Sequence, residues 1–458
     1  MSPQQSKKLY NTGLKVAKLL QQEQFAAFFV GGIVRNNLLK LESDNLDIAT
    51  DATTDQVESI LGGEGIKIKP VGKKFGSILA IVDNFPIEIT TFRAEGRYSD
   101  NRHPDHVDFI KDHKQDARRR DFTINALYFD PIKKELHDPT EGVKDLKLKL
   151  LRFVGNPKKR IDEDALRMLR GVRLATQLGF KLEKNSFAAI KTRAKYIQGI
   201  SGERIKAELD KILFSENRVE GIELLDKTGL MRFIIPEMEP MKNFSHKSKN
   251  YHLEGSMFTH TLMALKLAPK LSDLNLLYAL LFHDIGKPRS AKKVLKPEGW
   301  VFSTKGHADV SADIFLDFAS KMKFSRQSKS TIEWLIRNHM LQSVFFEMKP
   351  AKQLELAGNP NFGLLLEHWN ADHHGSRRAD NFDEHSKKFR KSVTAAGLLL
   401  KNLKTKSPLI SKLARGSVIM KYSKLKPGKQ LGDKIQDIKV QIVLGKITNE
   451  KNLQNYLK

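Results

Sequence analysis

A short segment of the chain places two oxygen-bearing side chains where they could hold a divalent cation. In the run NLDIAT, Asn45 and Asp47 are two positions apart, and residues i and i+2 of a strand project from the same face of a sheet. Paired carboxylates in this arrangement suit Mg²⁺, which binds a few carboxylates together with substrate phosphates. Only Asp47 is charged here, because Asn45 offers an amide oxygen. The segment therefore predicts a magnesium site in which one ligand is neutral.

A second set of metal-ligating residue types is spread along the second half of the chain. Its members are His260, His283, Asp284, His307, His339 and Asp372. Imidazole and carboxylate groups suit transition metals or Mg²⁺, and the adjacent pair His283–Asp284 would place two ligands at one end of a helix. A single histidine on an apolar helix is normally a core residue with satisfied hydrogen bonds. Six such residues in this order favour a site for a divalent metal instead.

Two further segments could contact phosphate. The run FFVGGIVRNNLL predicts a strand, a turn at Gly31–Gly32 and a helix, a geometry that lets backbone N–H groups approach phosphate while Arg35 adds charge. Plain packing is the alternative explanation of such a turn. The run RRRDFTINA is typical of a contact with a triphosphate or an RNA backbone, and a solvated basic turn is the alternative. Its polar members are Arg119, Arg120, Asp121 and Asn125.

Positioning these residues requires a sheet near the start of the chain and helices after it. FAAFFVGG, FGSILAIV and FPIEITTF are short apolar or alternating runs that predict strands of one sheet. Residues 1–24 and TTDQVESIL predict helices, and helical periodicity dominates after residue 160. The predicted fold class is α+β, a mixed-sheet head followed by an all-helical neck, body and tail. The expected domains are a head at 1–150, a neck and body at 151–245, a helical domain with the His/Asp set at 246–385 and a basic tail at 386–458.

Charge and composition narrow the classes of protein. Seventy-nine Lys and Arg against 53 Asp and Glu give a formal net charge of +26, which predicts a polyanionic partner. A lysine-rich soluble surface is the alternative. There are no cysteines, which excludes disulfides and a cysteine nucleophile and fits a cytoplasmic location. No apolar run approaches the roughly 20 residues of a membrane span, and no signal peptide or membrane partner is expected.

Five motifs together resemble the class II tRNA nucleotidyltransferases, the family of CCA-adding enzymes and bacterial poly(A) polymerases, whose head has a DNA polymerase β-like nucleotidyltransferase fold. They occur in the family's order over most of residues 25–180. The motifs are GGIVR, LDIAT, IEITTFRAEGRYSDNRHPDHVDF, RRRDFTINA and DEDALRMLRGVRLATQLGF.

The resemblance implies in-line phosphoryl transfer by two metal ions, one activating the tRNA 3′-hydroxyl and the other holding the triphosphate. It places Asp47 as the second aspartate of the metal motif and Glu88 as the third acid, although a lone Glu on a strand usually faces solvent. Gly31, Gly32 and Arg35 would face the triphosphate, with Arg119 or Arg120 assisting.

The motif EDxxR implies a protein template for nucleotide choice. Asp164 and Arg167, with Glu163 beside them on the first neck helix, would bond the base edge of incoming CTP or ATP. Arg170 and Arg173 continue the same stripe. A plain ion pair between Glu163 and Arg167 is the alternative.

Two positions depart from the family. Asn45 and Asn36 stand where the family usually has aspartate, so weaker metal binding and slower transfer are expected. Asp44 precedes Asn45 and would point to the other strand face unless a bulge re-aims it. The catalytic assignment therefore rests on Asp47 and Glu88, with Asn45 as a neutral third ligand.

The remaining implications concern specificity and the second site. The stretch from Arg93 to Pro104 is complete, which disfavours a CC-only enzyme but leaves full CCA addition and A-addition open. The His/Asp set resembles the HD phosphohydrolase superfamily, with His260, His283, Asp284 and Asp372 as the minimal set.

Addition of CCA to tRNA from CTP and ATP is the leading expectation. The alternatives are A-addition alone, an HD phosphohydrolase with a decayed head, and a tRNA-binding protein that is not an enzyme.

Overall fold

The computed structural model describes residues 2–96, 106–244, 255–296, 299–376 and 383–458. The chain divides into two compact units, Met1–Ile234 and Ile235–Lys458. Within each unit, the finer domain limits expected from the sequence stay predictions. Most of the stretch from Arg93 to Pro104, at residues 97–104, lies outside the described residues.

The first unit contains a seven-stranded mixed sheet in the order β3-β4-β5-β2-β1-β8-β9, and the predicted α+β class is confirmed. The strands of this unit are β1 Ala27–Val30, β2 Leu46–Thr50, β3 Lys67–Lys69, β4 Ser77–Val82, β5 Phe85–Thr91, β6 Arg93–Glu95, β7 Val107–Phe109, β8 Tyr128–Asp130, β9 Glu135–His137, β10 Leu150–Leu151 and β11 Lys181–Leu182. The three runs predicted as strands form β1, β4 and β5.

The central strand β2 pairs antiparallel with β1 and parallel with β5. Its buried side packs on the N-terminal helix, where a Cβ added at Gly13 would lie 2.4 Å from Leu46 Cδ1. Only a glycine permits that close approach. Because side chains alternate along a strand, the face occupied by Leu46 leaves the opposite face to Asp47.

The helices of the first unit flank this sheet and then continue without it. They are α1 Pro3–Gln22, α2 Gly32–Leu38, α3 Thr54–Gly63, α4 His113–Ala117, α5 Gly142–Leu148, α6 Pro157–Glu163, α7 Leu166–Leu178, α8 Lys184–Arg193, α9 Gly202–Leu213, α10 Arg218–Lys227 and α11 Met231–Ile234. One detail differs from the prediction of a continuous neck helix. Asp164 is extended (φ −147°, ψ 106°), so Glu163 ends α6 while Arg167 lies in the first turn of α7.

The second unit is almost entirely helical. Its elements are α12 Met238–Asn243, α13 Met257–Leu267, α14 Leu274–Phe282, α15 Lys287–Ser290, β12 Lys292–Lys296, β13 Gly299–Ser303, α16 His307–Lys321, α17 Arg326–Asn338, α18 Pro350–Ala357, α19 Phe362–Gly375, α20 Asp383–Leu413, α21 Gly416–Tyr422, α22 Lys429–Val443 and α23 Glu450–Leu457. The antiparallel hairpin β12–β13 was not predicted, because its strands are short and lie within a region of helical periodicity.

The basic tail folds into helices with a core of its own. Side chains from α20 to α23 form a buried cluster that includes Leu413, Ile419 and Ile438. Pro427–Gly428 precedes α22, as the Pro-Gly turn in the sequence predicted. Among the described residues, no helix is both long and apolar enough to cross a bilayer.

Candidate active site of the head and candidate metal centre

The parallel pairing of β2 with β5 brings the two acidic residues of the head together. Asp47 and Glu88 are direct Cα partners in this register, so their side chains project from the same face of neighbouring strands. The Gly31–Gly32 turn lies beside them. A Cβ at Gly31 would lie 3.6 Å from Asp47 Oδ2, and a Cβ at Gly32 would lie 3.7 Å from Asn45 Oδ1. Asn45 and Asp47 therefore both approach this turn, as the i, i+2 spacing predicted.

A bound cation would stabilise the charged form of the Asp47–Glu88 pair. Burial, and then the neighbouring Glu88 carboxylate, raise the pKa of Asp47 to about 6. A bound divalent cation would relieve both effects, so the residues present fit a metal site. Asp44 is exposed, lies at a bend before β2 and also acts to raise the pKa of Asp47. The backbone at Asp44 is thus not in the regular strand that would turn its side chain to the opposite face.

Arg35 is held at the head site by neutral partners. Its Nη1 donates to Asn125 Oδ1 at 2.6 Å, and its Nε and Nη2 donate to Asn36 Oδ1 at 3.1 and 2.8 Å. Within the described ranges, no carboxylate forms an ion pair with this guanidinium. Burial lowers the pKa of Arg35 to about 10, so the group stays charged near neutral pH. Its charge is available to an anionic ligand.

The arginines of RRRDFTINA are organised by a buried carboxylate that the sequence analysis missed. Asp116 lies 2.8 Å from Arg119 Nε and 3.2 Å from Arg120 Nη2, and it also accepts a short hydrogen bond from the Tyr128 hydroxyl. Arg120 donates to the same hydroxyl at 2.8 Å. The acid precedes the two arginines by three and four residues, which is the one sequence signal for these pairs. Both arginines are thereby fixed by one acid.

Asp121 links the head to α7. Arg170 Nη2 lies 2.5 Å from Asp121 Oδ2, and Asn125 Nδ2 donates to Asp121 Oδ1 at 3.2 Å. Although burial opposes ionisation, Arg170 and the Asn125 hydrogen bond hold the pKa of Asp121 below its usual range. Asn125 also contacts Arg35, the residue expected to bind the triphosphate. The network therefore connects Arg35 with helix α7 of the neck.

The EDxxR residues are engaged with different partners. Arg167 Nη1 pairs with Glu163 Oε2 at 2.5 Å, so the plain ion pair considered above is present. Asp164 Oδ1 accepts from the backbone N–H of Leu166 at 3.0 Å, and its Oδ2 pairs with Arg204 of α9 at 2.8 Å. Arg167 Nη1 and Nη2 also donate to the backbone oxygens of Arg160 and Arg119 at 3.0 and 3.2 Å. The template role stays a prediction.

Arg173 and Arg204 tie α9 to α7 and to the α6–α7 junction, respectively. Arg173 Nε lies 2.5 Å from Glu208 Oε2, where the sequence analysis had expected a nucleotide ligand. Glu208 and Arg204 lie more than 30 residues from their partners, so no local spacing could have revealed them.

The His/Asp set of the second unit assembles as two buried triads. One consists of His260, His283 and Asp372, the other of Asp284, His307 and His339, and the ligand atoms within each lie within 4.8 Å of one another. The six predicted residues thus converge, although the partition differs from the expected minimal set.

Asp284 belongs to one triad and also contacts the other. Its Oδ1 is 3.2 Å from His307 Nε2, while its Oδ2 is 3.3 Å from His283 Nε2. The buried Lys287 donates to Oδ2 at 2.7 Å. A carboxylate that offers one oxygen to each side suits a ligand shared by two metal ions.

The tautomers of three histidines follow from their backbone contacts. Nδ1 of His283, His307 and His339 lies 2.8, 2.9 and 2.7 Å from a backbone carbonyl oxygen three residues earlier. Each Nδ1 therefore carries the proton, and each Nε2 directs a lone pair into the cluster. His307 Nε2 and His339 Nε2 are only 3.1 Å apart. Two lone pairs cannot face each other at that distance unless a proton or a metal ion lies between them, and the donor set fits divalent metals.

The charge of the cluster leads to the same conclusion. Burial acts to lower the pKa of His283, but Asp284 and Asp372 raise it to about 10. The pKa values of both carboxylates lie well below their usual range because the positive groups around them outweigh burial. Without a cation, the cluster would take up a proton instead.

Comparison with protein-family models finds three segments of the chain that match. Residues 27–152 match the Poly A polymerase head domain, residues 179–242 match the probable RNA and SrmB-binding site of polymerase A, and residues 257–357 match the HD domain. The resemblance inferred from the five motifs and from the His/Asp set is confirmed. The chain thus combines segments similar to a Poly A polymerase head domain, to a probable RNA-binding site and to an HD domain.

Curated relatives with related sequences are CCA-adding enzymes. That of Staphylococcus epidermidis is 37% identical over 229 residues, which are 50% of this chain and 56% of that protein. That of Enterococcus faecalis is 42% identical over 207 residues, 45% of this chain and 50% of that protein. The chain thus spans about half the length of the curated relatives it matches.

Solved structures share the fold along the whole chain. The CCA-adding enzyme of Bacillus stearothermophilus in complex with CTP superposes with a TM-score of 0.69 at 24% identity, covering 100% of this chain and 97% of that one. The Thermotoga maritima enzyme complexed with tRNA gives 0.62 at 16% identity, covering 100% and 95%. At these identities the likeness establishes the fold.

Proposed function

We propose that the protein is a cytoplasmic tRNA nucleotidyltransferase that adds CCA to tRNA 3′ ends from CTP and ATP without a nucleic-acid template. The observation that carries this proposal is the Asp47–Glu88 pair, placed in register beside the Gly31–Gly32 turn within a Poly A polymerase head domain. The CCA-adding relatives, some of them solved with CTP, ATP or tRNA, support the same activity. The net charge of +26 suits a tRNA partner.

The position and charge of each residue in the head determine its role. Asp47 and Glu88 would hold Mg²⁺, with the Asn45 amide oxygen as a neutral ligand. When bound, Mg²⁺ activates the attacking 3′-hydroxyl and neutralises charge on the triphosphate. Arg35 binds the triphosphate, because no carboxylate of the described residues pairs with it and its position is fixed by Asn36 and Asn125.

The neck residues orient the incoming nucleotide. Asp164 and Arg167 present an acceptor and donors to the base edge, and Arg204 and Glu163 hold their side chains in place. Asp121 maintains the link to Arg170 and positions Asn125. The phosphate contacts of the basic tail position tRNA without selecting sequence.

Single-turnover extension tests the proposal. Transcripts ending before CCA, after C and after CC are incubated with CTP and ATP in Mg²⁺. Full CCA on the shortest transcript is the expected product. Extension of the CC-ended transcript alone would establish A-addition as the activity. If no transcript is extended in Mg²⁺ or Mn²⁺, the head is not a catalyst.

The substitution Asn45→Asp is expected to accelerate nucleotide transfer. A second carboxylate beside Asp47 strengthens cation binding, and we expect a gain of about tenfold, equivalent to about 1.4 kcal/mol of barrier. Single-turnover rates at subsaturating Mg²⁺ measure the gain. Asn37→Asp serves as the matched control, because Asn37 is an exposed residue of α2 that contributes to neither the acidic pair nor the hold on Arg35. A rate unchanged by Asn45→Asp would mean that Asn45 does not face the cation.

A second activity is proposed for the HD domain. The two buried triads joined by Asp284 favour metal-dependent hydrolysis of a phosphate ester. When bound, the metal ions would supply an activated water and neutralise charge on the phosphate. Hydrolysis of 2′,3′-cyclic AMP in Mn²⁺, Co²⁺ or Ni²⁺ is the assay, and no turnover with any of them would contradict this activity.

A further inference from the structure

The two carboxylates of the metal centre are held in the same manner by different side chains. Lys287 donates to Asp284 Oδ2 at 2.7 Å. Gln342 donates through Nε2 to Asp372 Oδ2 at 2.8 Å. In both cases one carboxylate oxygen accepts from a side-chain donor and Oδ1 faces histidine nitrogens, although Asp284 Oδ2 also lies 3.3 Å from His283 Nε2. The structure therefore shows a counterpart to Lys287 that is uncharged.

The orientation of the Gln342 amide follows from its partner. An ionised carboxylate accepts hydrogen bonds and cannot donate, so the amide nitrogen rather than the oxygen must face Asp372 Oδ2. The amide oxygen is buried and accepts no hydrogen bond from the part of the chain that the structure describes. Among the described residues, the bond to Asp372 is thus the polar contact that explains why this side chain turns inward.

The backbone gives Gln342 a fixed place in the centre. It lies in the 3₁₀ segment His339–Ser343, one turn after His339. His339 Nδ1 is tied to the Ile336 carbonyl oxygen at 2.7 Å. The same short segment therefore supplies His339 to one triad and Gln342, the hydrogen-bond donor to Asp372, to the other.

The consequence for Asp372 is a fixed carboxylate orientation. With Oδ2 bound to Gln342, Oδ1 lies 3.0 Å from His260 Nε2 and 3.5 Å from His283 Nε2. Release of Oδ2 would let the carboxylate rotate about its terminal bond and lose this alignment. A neutral donor fixes the orientation without cancelling the negative charge that attracts a cation.

We propose that Gln342 is a positioning residue of the HD metal centre, which holds Asp372 so that Oδ1 completes the ligand triad with His260 and His283. This inference rests on the metal binding proposed for the HD domain. It concerns a residue outside the six His and Asp positions, and it implies that metal affinity depends on an amide that does not itself bind the ion.

The test compares Co²⁺ binding by the full-length protein and its variants. Co²⁺ bound to histidine absorbs visible light, which separates the HD centre from the oxygen-only head site. Gln342→Met removes the donor at nearly constant volume and is expected to weaken Co²⁺ affinity about 10- to 100-fold. Gln342→Asn withdraws the amide from Asp372 but keeps the side chain polar, so it should weaken Co²⁺ affinity to a similar extent. This second variant provides the test if Gln342→Met does not fold.

The matched control is Gln353→Met. Gln353 Nε2 donates at 2.7 Å to the backbone oxygen of Phe345, in the same unit but away from the two triads. The control should bind Co²⁺ like the parent protein, and the metal-free thermal midpoint of all variants should agree. Affinity within twofold of the parent for Gln342→Met, or an equal loss in Gln353→Met, would overturn the proposal. A parent protein without the histidine-type Co²⁺ spectrum would overturn the metal centre together with it.

Discussion

Replacement of Asp47 by asparagine is expected to reduce nucleotide transfer at least about a thousandfold, a loss of about 4 kcal/mol in transition-state stabilisation. With Asn45 already neutral, Asp47→Asn leaves Glu88 as the one acidic side chain of the paired strands. The barrier rises because developing charge on the triphosphate and the 3′-hydroxyl is no longer neutralised. Single-turnover addition of CMP to a tRNA transcript measures the loss, with CTP affinity measured in parallel.

Asp51→Asn is the control for this variant. Asp51 follows β2 and accepts from the Ala26 N–H at 2.8 Å through Oδ1, a bond that an asparagine side chain preserves. The same chemical change four residues along the chain should leave the rate within about threefold of the parent, because Asp51 lies outside the acidic pair. If Asp47→Asn and Asp51→Asn have equal rates, Asp47 has no part in the chemistry.

Replacement of Asp284 by alanine is expected to abolish hydrolysis of 2′,3′-cyclic AMP, by at least about a thousandfold, while CCA addition continues. Asp284 contacts histidines of both triads, so its loss affects both positions at once. The head contributes none of these ligands. Initial rates of both reactions on the same preparation measure the separation.

Folding must be monitored in this experiment, because Asp284→Ala leaves Lys287 buried without its partner. His339→Gln removes a ligand from one triad and leaves the Lys287 pair intact, so a comparable loss of hydrolysis would identify the metal centre as the cause. Asp309→Ala changes an exposed acid paired with Arg337 and should leave both activities unchanged. Loss of CCA addition in His339→Gln would instead indicate a structural role for the centre.

Sequence patterns located the elements whose periodicity is unbroken. The apolar runs of β1, β4 and β5 and the amphipathic α1 were predicted because alternation or a helical stripe extends over their whole length. The hairpin β12–β13 was missed, since five-residue strands give too few repeats. The break at Asp164 was missed as well, because helical periodicity continues from α6 into α7 and the extended backbone at that residue has no local signal.

The candidate site residues that lie within sequence motifs were predicted, and the residues that hold them in place were not. Asp47 was identified from local spacing, whereas Glu88 depended on the family resemblance until the β2–β5 register placed it beside Asp47. Residues that hold the ligands in place were not found. Tyr128, Arg204 and Gln342 contact partners 12 to 40 positions away, so only the folded chain brings them together.

The register of β2 with β5 has a consequence for how the head folds. Asp47 and Glu88 are 41 positions apart, and a parallel pair requires the chain between them to cross over, so closing this pair has an entropic cost. The closed pair also brings two carboxylates that repel each other into neighbouring positions. A divalent cation that binds only the closed sheet therefore acts as a ligand of the native state and shifts the folding equilibrium by mass action. Folding of the head and metal binding at its active site are therefore linked equilibria.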